Sequence, residues 1–144
     1  MGSRFGTAEW ARSLTDEINA SSEYRNAASA WGAGFNGDVL MVFDADEALP
    51  SRLRLLVRLS GGTCGGAEFV EGEPEPDAGF VLRAPFTLWR DILERRTLAA
   101  TALLTGRLKV RGDTATLLRH IPAHRALIHC AASLDTRFEG LDPK

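Results

Sequence analysis

Residues 103–118 read LLTGRLKVRGDTATLL, and this stretch decides how the rest of the chain is interpreted. An apolar helical run ends at Gly106, the residue type that most easily adopts the left-handed conformation closing a helix. Residues 107–111 alternate charged and aliphatic side chains, as a strand with one wet face does. Gly112 turns the chain, and Asp113 is suited to cap a second helix. The stretch therefore predicts a helix, a strand and a helix, with both helices covering the apolar face of the strand.

The strand within this stretch has a predicted orientation. Leu108 and Val110 point to the interior, and the basic residues at 107, 109 and 111 point to solvent. On this prediction, Leu118 of the following helix faces the same apolar interior as Leu108.

The motif TGRLKVRGD at residues 105–113, followed by the Leu-Leu helix, resembles the signature of the sterol carrier protein 2 family. That family typically shows a Gly-Lys-Leu-Lys-(Ile/Val)-x-Gly-(Asn/Asp) strand at this place. Upstream, residues 80–105 resemble the family's preceding strand, its helix and its short second helix. The resemblance covers about residues 36–132, and its specific part lies at residues 80–118. The alternative is a generic α+β domain that contains such a helix-strand-helix.

Length and composition fit one globular domain. The chain has 144 residues, of which 44% are hydrophobic and 25% charged, which is ordinary for a folded domain. A net charge of -2 argues against a nucleic acid as partner. We expect a single domain over residues 1–144, with an N-terminal helical region at 1–35, a core at 36–132 and a tail at 133–144.

The sequence shows no recognisable targeting signal. No signal peptide and no apolar run of membrane-spanning length is recognisable, and the final residues lack a Ser-Lys-Leu peroxisomal address. The two cysteines, Cys64 and Cys130, show no metal-ligand spacing. These features predict a reduced, soluble, cytoplasmic protein.

The hydrophobic pattern predicts a sequence of helices and strands. Trp10, Leu14 and Ile18 form the apolar stripe of a helix that starts at Thr7, and Ser22 is suited to cap a second helix. Residues 2–6 are predicted to be frayed. The predicted strands span residues 38–43, 53–59, 67–70, 78–84 and 107–111, with a glycine-rich hairpin turn at 61–66. The later helices are predicted at 85–95, at 97–105 with Thr97 as cap, after Asp113, and from Pro122. The fold class is therefore α+β, with a mostly antiparallel sheet of about five strands and helices packed on one face.

One predicted strand carries a row of arginines. Arg52, Arg54 and Arg58 alternate with leucine and valine, so they lie on the wet face of the sheet. They are interpreted as partners of Glu68 and Glu71 in cross-strand pairs, and the alternative is an anion-binding patch.

Residues with catalytic or metal-binding chemistry are sparse. His120 and His124 have the spacing of a helical metal pair, but Pro122 lies between them and no third ligand follows. The acids at residues 44–47 lack the glycine and distal glutamate of a calcium loop. No nucleophile elbow and no nucleotide-binding loop is present. Together with the resemblance, which implies a binding protein, these absences predict no metal, no cofactor and no enzymatic activity.

The resemblance implies an apolar tunnel between sheet and helices that takes a fatty acid, a fatty acyl-CoA or a sterol. We therefore predict non-enzymatic binding or carriage of a lipid or other apolar small molecule. A transient contact with a membrane surface and a homodimer stay open, as does the identity of the lipid. The predicted tunnel wall consists of Met41, Phe43, Leu55, Val57, Phe69, Phe80, Leu82, Trp89, Leu93, Leu103, Leu104, Leu108, Leu118, Leu127 and Ile128.

Two alternatives accompany this prediction. The first is an accessory or dimerisation module that presents a lipid-like intermediate to an enzyme, which an exposed stripe at Trp10, Leu14 and Ile18 would favour. The second is a small hydrolase or isomerase, which would need a polar pocket with a perturbed acid or histidine.

Overall fold

The computed structural model describes residues 2–138. Two layers make up the fold, a twisted sheet and a set of helices that covers one of its faces. In chain order the elements are β1 (Ser3–Arg4), α1 (Ala8–Ala20), α2 (Ser22–Ala27), β2 (Val39–Asp44), β3 (Leu53–Ser60), β4 (Thr63–Phe69), β5 (Phe80–Pro85), α3 (Phe86–Leu93), α4 (Ala99–Leu104), β6 (Lys109–Arg111), α5 (Thr114–Arg119), α6 (Ile121–Ser133) and β7 (Thr136–Arg137).

The main sheet has five strands in the order β4-β3-β2-β5-β6. Three of its four pairings are antiparallel, and the central β2–β5 pairing is parallel. The long connection from β2 to β5 runs through the β3–β4 hairpin, which gives the chain the length that a parallel return needs. The predicted α+β class with a mostly antiparallel, five-stranded sheet is confirmed.

The two faces of the sheet differ as the alternation of residues predicts. Aliphatic and aromatic side chains such as Met41, Leu55 and Leu82 join the helices in one large apolar core. On the other face, Arg58 pairs with Glu68 at 3.0 Å, as expected for cross-strand charges. Arg54 differs from the prediction, because it is buried and donates to the carbonyl of Gly72 at 2.7 Å.

Part of the sheet face opposite the helices is shielded from solvent. Four strand residues form a second, smaller cluster there, against which Val70 and Ala78 pack. The loop after β4 therefore shields part of the face that the pattern assigns to solvent. The four residues are Leu40, Val42, Leu56 and Val81.

The helix-strand-helix at residues 103–118 is confirmed in outline. Gly106 follows α4 with a positive φ of 79°, the conformation that glycine adopts most easily. Leu108 is buried, and the side chains of Lys109 and Arg111 are exposed. The Asp113 carboxylate accepts the backbone N–H of Thr116 at 3.3 Å and caps α5.

Both ends of the described chain are more ordered than predicted. Residues 2–6 are not frayed, and the predicted tail is not free, because β1 and β7 pair as a short parallel ladder. The pairing places Phe5 in an aromatic cluster, 5.0 Å from the ring of Trp10 and 5.0 Å from that of Phe43. The remainder of the predicted tail, residues 139–144, lies outside the described residues.

Three local predictions are wrong. The hairpin turn does not occupy residues 61–66, since β4 already begins at Thr63 and only Gly61 and Gly62 make the turn with positive φ. Ser21, not Ser22, caps α2 through its hydroxyl. Thr97 does not cap α4, whose first turn has no side-chain cap.

Candidate functional site

The sequence predicts that the wall residues share one interior, and most of them lie there in the structure. Met41, Phe43, Leu55, Val57, Phe80, Leu82, Trp89, Leu93, Leu108, Leu127 and Ile128 are buried in the main core, with Phe69 and Leu103 packed against it. Two do not reach the interior. Leu104 is 77% exposed and Leu118 is 46% exposed, so the prediction that Leu118 faces the same apolar interior as Leu108 is wrong.

Helix geometry explains both errors. In α5 the buried residues are Thr116 and Leu117, and one further residue rotates the side chain of Leu118 by about 100° toward solvent. In α4 the buried residues are Ala99 and Ala102, so the opposite side of that short helix carries Leu104 outward. Neighbouring residues of a helix point about 100° apart, so a Leu-Leu pair alone does not show whether one or both of its members are buried.

Between sheet and helices the packing leaves little space. A void of about 20 Å³ is lined by Tyr24, Trp31, Val39, Leu59, Phe80, Leu82, Leu117, Ala123, His124 and Leu127. That volume suits roughly one water molecule. The predicted tunnel between the layers is therefore closed here, and most of its predicted wall residues belong to a packed core.

A larger cleft opens on the helical side of the molecule. It has a volume of about 250 Å³ and lies between the end of α3, the start of α4 and one face of α6. Its lining is mainly aliphatic, with Arg95, Arg125 and His129 as cationic or titratable groups. The full lining is Ile92, Arg95, Thr97, Leu98, Ala99, Ala100, Ile121, His124, Arg125, Ile128, His129 and Ala132.

Of the predicted wall residues, Ile128 lines this cleft, and the other lining residues are not among those predicted. A signal for it exists in α6, where Ile121, Arg125, Ile128 and Ala132 recur at helical spacing and define one face. A second signal is α4, which carries no charged residue and is therefore unusual for a helix at a surface unless something covers it. The volume is just below the range typical of small-molecule pockets.

His124 connects the cleft with the void, because its side chain lines both. Its Nε2 atom is buried and has no hydrogen-bond partner among the described residues. Burial lowers the pKa of His124 to about 4. The imidazole is therefore neutral at pH 7, and it is an available donor or acceptor within an apolar wall.

We expect His124 to make folding sensitive to acid. In the unfolded chain its pKa is about 6.5, and in the folded protein it is about 4. Between these values the unfolded state binds the extra proton, so the free energy of unfolding falls as the pH falls through this window, by about 3 kcal/mol in total. Denaturant unfolding near pH 7 and near pH 4 measures the loss, and His124→Leu should lose about 3 kcal/mol less. Equal losses in both proteins would contradict the assignment.

The remaining chemical groups form no reactive arrangement in residues 2–138. His120 packs its ring against Trp31 at 5.4 Å, and no cluster of three or more His, Cys, Asp or Glu is placed to hold a metal there. Burial raises the pKa of both Cys64 and Cys130, which keeps them as thiols. No helix in the described range is long and apolar enough to cross a bilayer.

Comparisons with known proteins identify the family and agree with the fold. The profile of the SCP-2 sterol transfer family matches residues 34–122. A crystal structure of sterol carrier protein 2 superposes with a TM-score of 0.80 at 31% identity, covering 91% of this chain and 99% of that one. A solution structure from Thermus thermophilus, titled a conserved hypothetical protein that is possibly a sterol carrier protein, superposes at 0.79 and 31% identity, covering 94% and 95%.

More distant structures share the fold. A ubiquinone synthesis protein, UbiJ-SCP2, has a TM-score of 0.53 at 18% identity and covers 86% of this chain and 93% of its own. No curated protein matches the chain.

Proposed function

Since the chain belongs to the SCP-2 sterol transfer family, we propose that it binds and carries a lipid whose apolar part enters through the cleft on α6. The observation that carries this proposal is the position of His124, in the wall that separates the cleft from the inter-layer void. A ligand that displaces this wall joins the two spaces into one apolar channel. Binding then requires a local opening of α4 against α6 rather than a preformed tunnel.

Small side chains around this wall support such an opening. Ala99 and Ala100 line the cleft from α4, and Ala123 lines the void from α6. Moving a helix that presents alanine requires few neighbouring side chains to change rotamer, so the opening disturbs the packing less than it would with larger residues. The same alanines also permit the close packing of the ligand-free structure.

The energetics allow micromolar binding. Burying an acyl chain of about fifteen methylenes gains on the order of 12 kcal/mol, at about 0.8 kcal/mol for each CH₂. Immobilising the chain and opening the helices consume several kcal/mol of that gain. A net value near 8 kcal/mol corresponds to about 1 μM.

Charges at the mouth favour an anionic head group. Arg95 and Arg125 line the cleft and have exposed side chains, so they meet a head group while it remains in water. This arrangement favours a fatty acid or fatty acyl-CoA over a neutral sterol. It also matches a non-enzymatic role, because the perturbed histidine lies in an apolar wall whose lining contains no acid to activate it.

We expect saturable binding of a fluorescent fatty acid or fatty acyl-CoA at micromolar concentration. Ala100→Trp fills the cleft from its half-buried wall and should weaken binding by at least about tenfold. Ala33→Trp adds the same ring at an exposed position that lines neither the cleft nor the void, and it should leave affinity unchanged. Folded wild-type protein without a saturable signal for either ligand would refute the proposal.

The exposed apolar stripe that would favour an accessory or dimerisation module is absent from α1. Trp10, Leu14 and Ile18 are fully buried in the core, so that stripe is not a free docking surface. The UbiJ-SCP2 protein shares the fold alone. Native mass spectrometry of the purified protein would distinguish the two roles, because it reports co-purified lipid and oligomeric state together.

A further inference from the structure

The imidazole of His124 is a buried polar group with an unpaired nitrogen. The residue is only 5% exposed, and its Nε2 atom has no hydrogen-bond partner within residues 2–138. Most buried polar side-chain atoms in proteins are paired, because an unpaired one costs stability. An unpaired nitrogen that lies against a cavity therefore marks a place where a bound molecule can supply the missing partner.

The position of His124 on α6 places its ring between two spaces. Ile121 and Ile128, three residues before it and four residues after it, line the cleft from the same face of the helix. Ala123 and Leu127 line the void between the layers. Since the His124 side chain lines both spaces, a ligand that joins them passes along its ring.

The void itself offers few polar groups to a trapped water molecule. Among the lining residues that the structure describes, only Tyr24 and Trp31 besides His124 carry a polar side-chain atom. The Trp31 Nε1–H already donates to the carbonyl of Gly37 at 2.7 Å. A buried water needs about two to four polar partners. These side chains therefore favour a partner that arrives with a ligand over a stored water.

The charged groups of the cleft lie closer to solvent than His124 does. Arg95 and Arg125 line the cleft and are exposed, and so is His129. An anionic head group can pair with the two arginines while it stays in water, and the apolar chain behind it then continues inward to His124. The contact at His124 is thus made by the chain of the lipid and not by its head group.

The chemistry of His124 selects a neutral partner. Burial lowers the pKa of this imidazole to about 4, so at pH 7 it carries no charge and offers one donor and one acceptor nitrogen. A hydroxyl group both donates and accepts a hydrogen bond, so it can pair with Nε2 in either tautomer of the ring. A saturated hydrocarbon chain leaves Nε2 unpaired.

We propose that His124 is a specificity-determining contact for a lipid that carries a hydroxyl group within its apolar chain, such as a hydroxylated fatty acid or its thioester. The inference rests on the proposed carrier function and adds the chemical class of the ligand. Burying a hydroxyl in an apolar wall without a partner weakens binding. A mid-chain hydroxyl therefore has opposite effects on affinity with and without the His124 contact.

Matched fatty acids test the contact by displacement of the fluorescent fatty acid. They are stearate, 10-hydroxystearate and 12-hydroxystearate, with 2-hydroxystearate as the control. At least one of the mid-chain hydroxystearates should bind wild-type protein about tenfold more tightly than stearate. The control carries its hydroxyl beside the carboxylate at the mouth of the cleft, and its affinity should lie within about twofold of that of stearate.

Variants at position 124 show whether the preference comes from this ring. His124→Leu should reverse it, so that the preferred hydroxystearate binds about tenfold more weakly than stearate. His124→Gln keeps a donor and an acceptor at a similar reach and should retain part of the preference. A general loss of packing changes both affinities in parallel and leaves their ratio unchanged. His120→Leu replaces a histidine that lines neither space, and it should keep the wild-type ratio.

Three results would overturn the proposal in a protein that still binds stearate. They are weaker binding of both mid-chain hydroxystearates than of stearate, an equal gain with 2-hydroxystearate, and a wild-type affinity ratio in His124→Leu. The wild-type comparison requires no variant, so the test stands even where a substitution unfolds the protein. Absence of saturable binding for every fatty acid would instead refute the carrier function, and this inference with it.

Discussion

Replacing Leu108 by arginine is expected to remove most of the stability of this protein. Leu108 is 1% exposed in the main core, and its backbone N–H donates to the carbonyl of Ala102 at 3.0 Å. An arginine there buries a charge without a partner, which costs about 3–5 kcal/mol. Domains of this kind are stable by only about 5–15 kcal/mol. The midpoint of thermal unfolding should therefore fall by about 10 °C or more, and soluble lipid binding should be lost.

The adjacent residue provides the matched control. Lys109 is exposed, and its Nζ donates to the carbonyl of Gly106 at 3.4 Å. Lys109→Glu should change the free energy of unfolding by no more than about 0.5 kcal/mol and should leave soluble lipid binding intact. Thermal melts and ligand titrations compare the stability and the lipid affinity of the two variants. Similar behaviour of both would show that the orientation assigned to β6 is wrong.

The orientation of β6 can be predicted from the sequence because its signals are local. Alternation in residues 107–111 has a period of two, and a buried face fixes that register strongly. Gly106 and Asp113 mark the adjoining helix ends through properties of single residues, a positive φ and a capping carboxylate. Such signals act within a few residues, so they can be recognised without knowledge of the remaining fold.

The errors arise where distant segments decide the structure. The pairing of Ser3 with Thr136 joins opposite ends of the chain by a ladder two residues long. Neither segment has a hydrophobic period long enough to indicate a strand. Phe5 was the available signal, since a large aromatic residue gains much from burial, but only the folded chain brings Trp10 and Phe43 to it.

The sequence predicts which apolar residues lie in the interior, but it does not predict the volume that they leave for a ligand. Apolar residues on β2, β3 and β5 lie in the interior as expected, yet they fill the space between the layers. Whether facing layers meet depends on the shapes of many side chains at once, and a difference of one methyl group changes a cavity. The cleft lies instead between α4 and one face of α6; the helical spacing of that face is visible in the sequence, but its distance from α4 is not.

Substitutions of Trp89 test whether the space between sheet and helices is a packed core or the wall of a ligand channel. Trp89 is 1% exposed, its Nε1–H donates to the carbonyl of Val42 at 2.9 Å, and its ring centroid lies 4.9 Å from that of Phe43. It lines neither the void nor the cleft. Trp89→Ala should therefore destabilise the delipidated protein by about 3–5 kcal/mol through the cavity that it leaves. Fatty acid affinity should change little in the variant that remains folded.

Trp89→Phe separates volume from hydrogen bonding at this position. It keeps most of the ring but leaves the Val42 carbonyl without its tryptophan donor, so we expect a loss of about 1–3 kcal/mol. Chemical denaturation of both delipidated variants, beside a binding titration, distinguishes the two descriptions. A channel wall predicts a smaller loss for Trp89→Ala, since part of its void already exists for ligand, together with a clear change in affinity. That result would move the ligand from the α6 cleft to the layer interface, with Trp89 as one of its contacts.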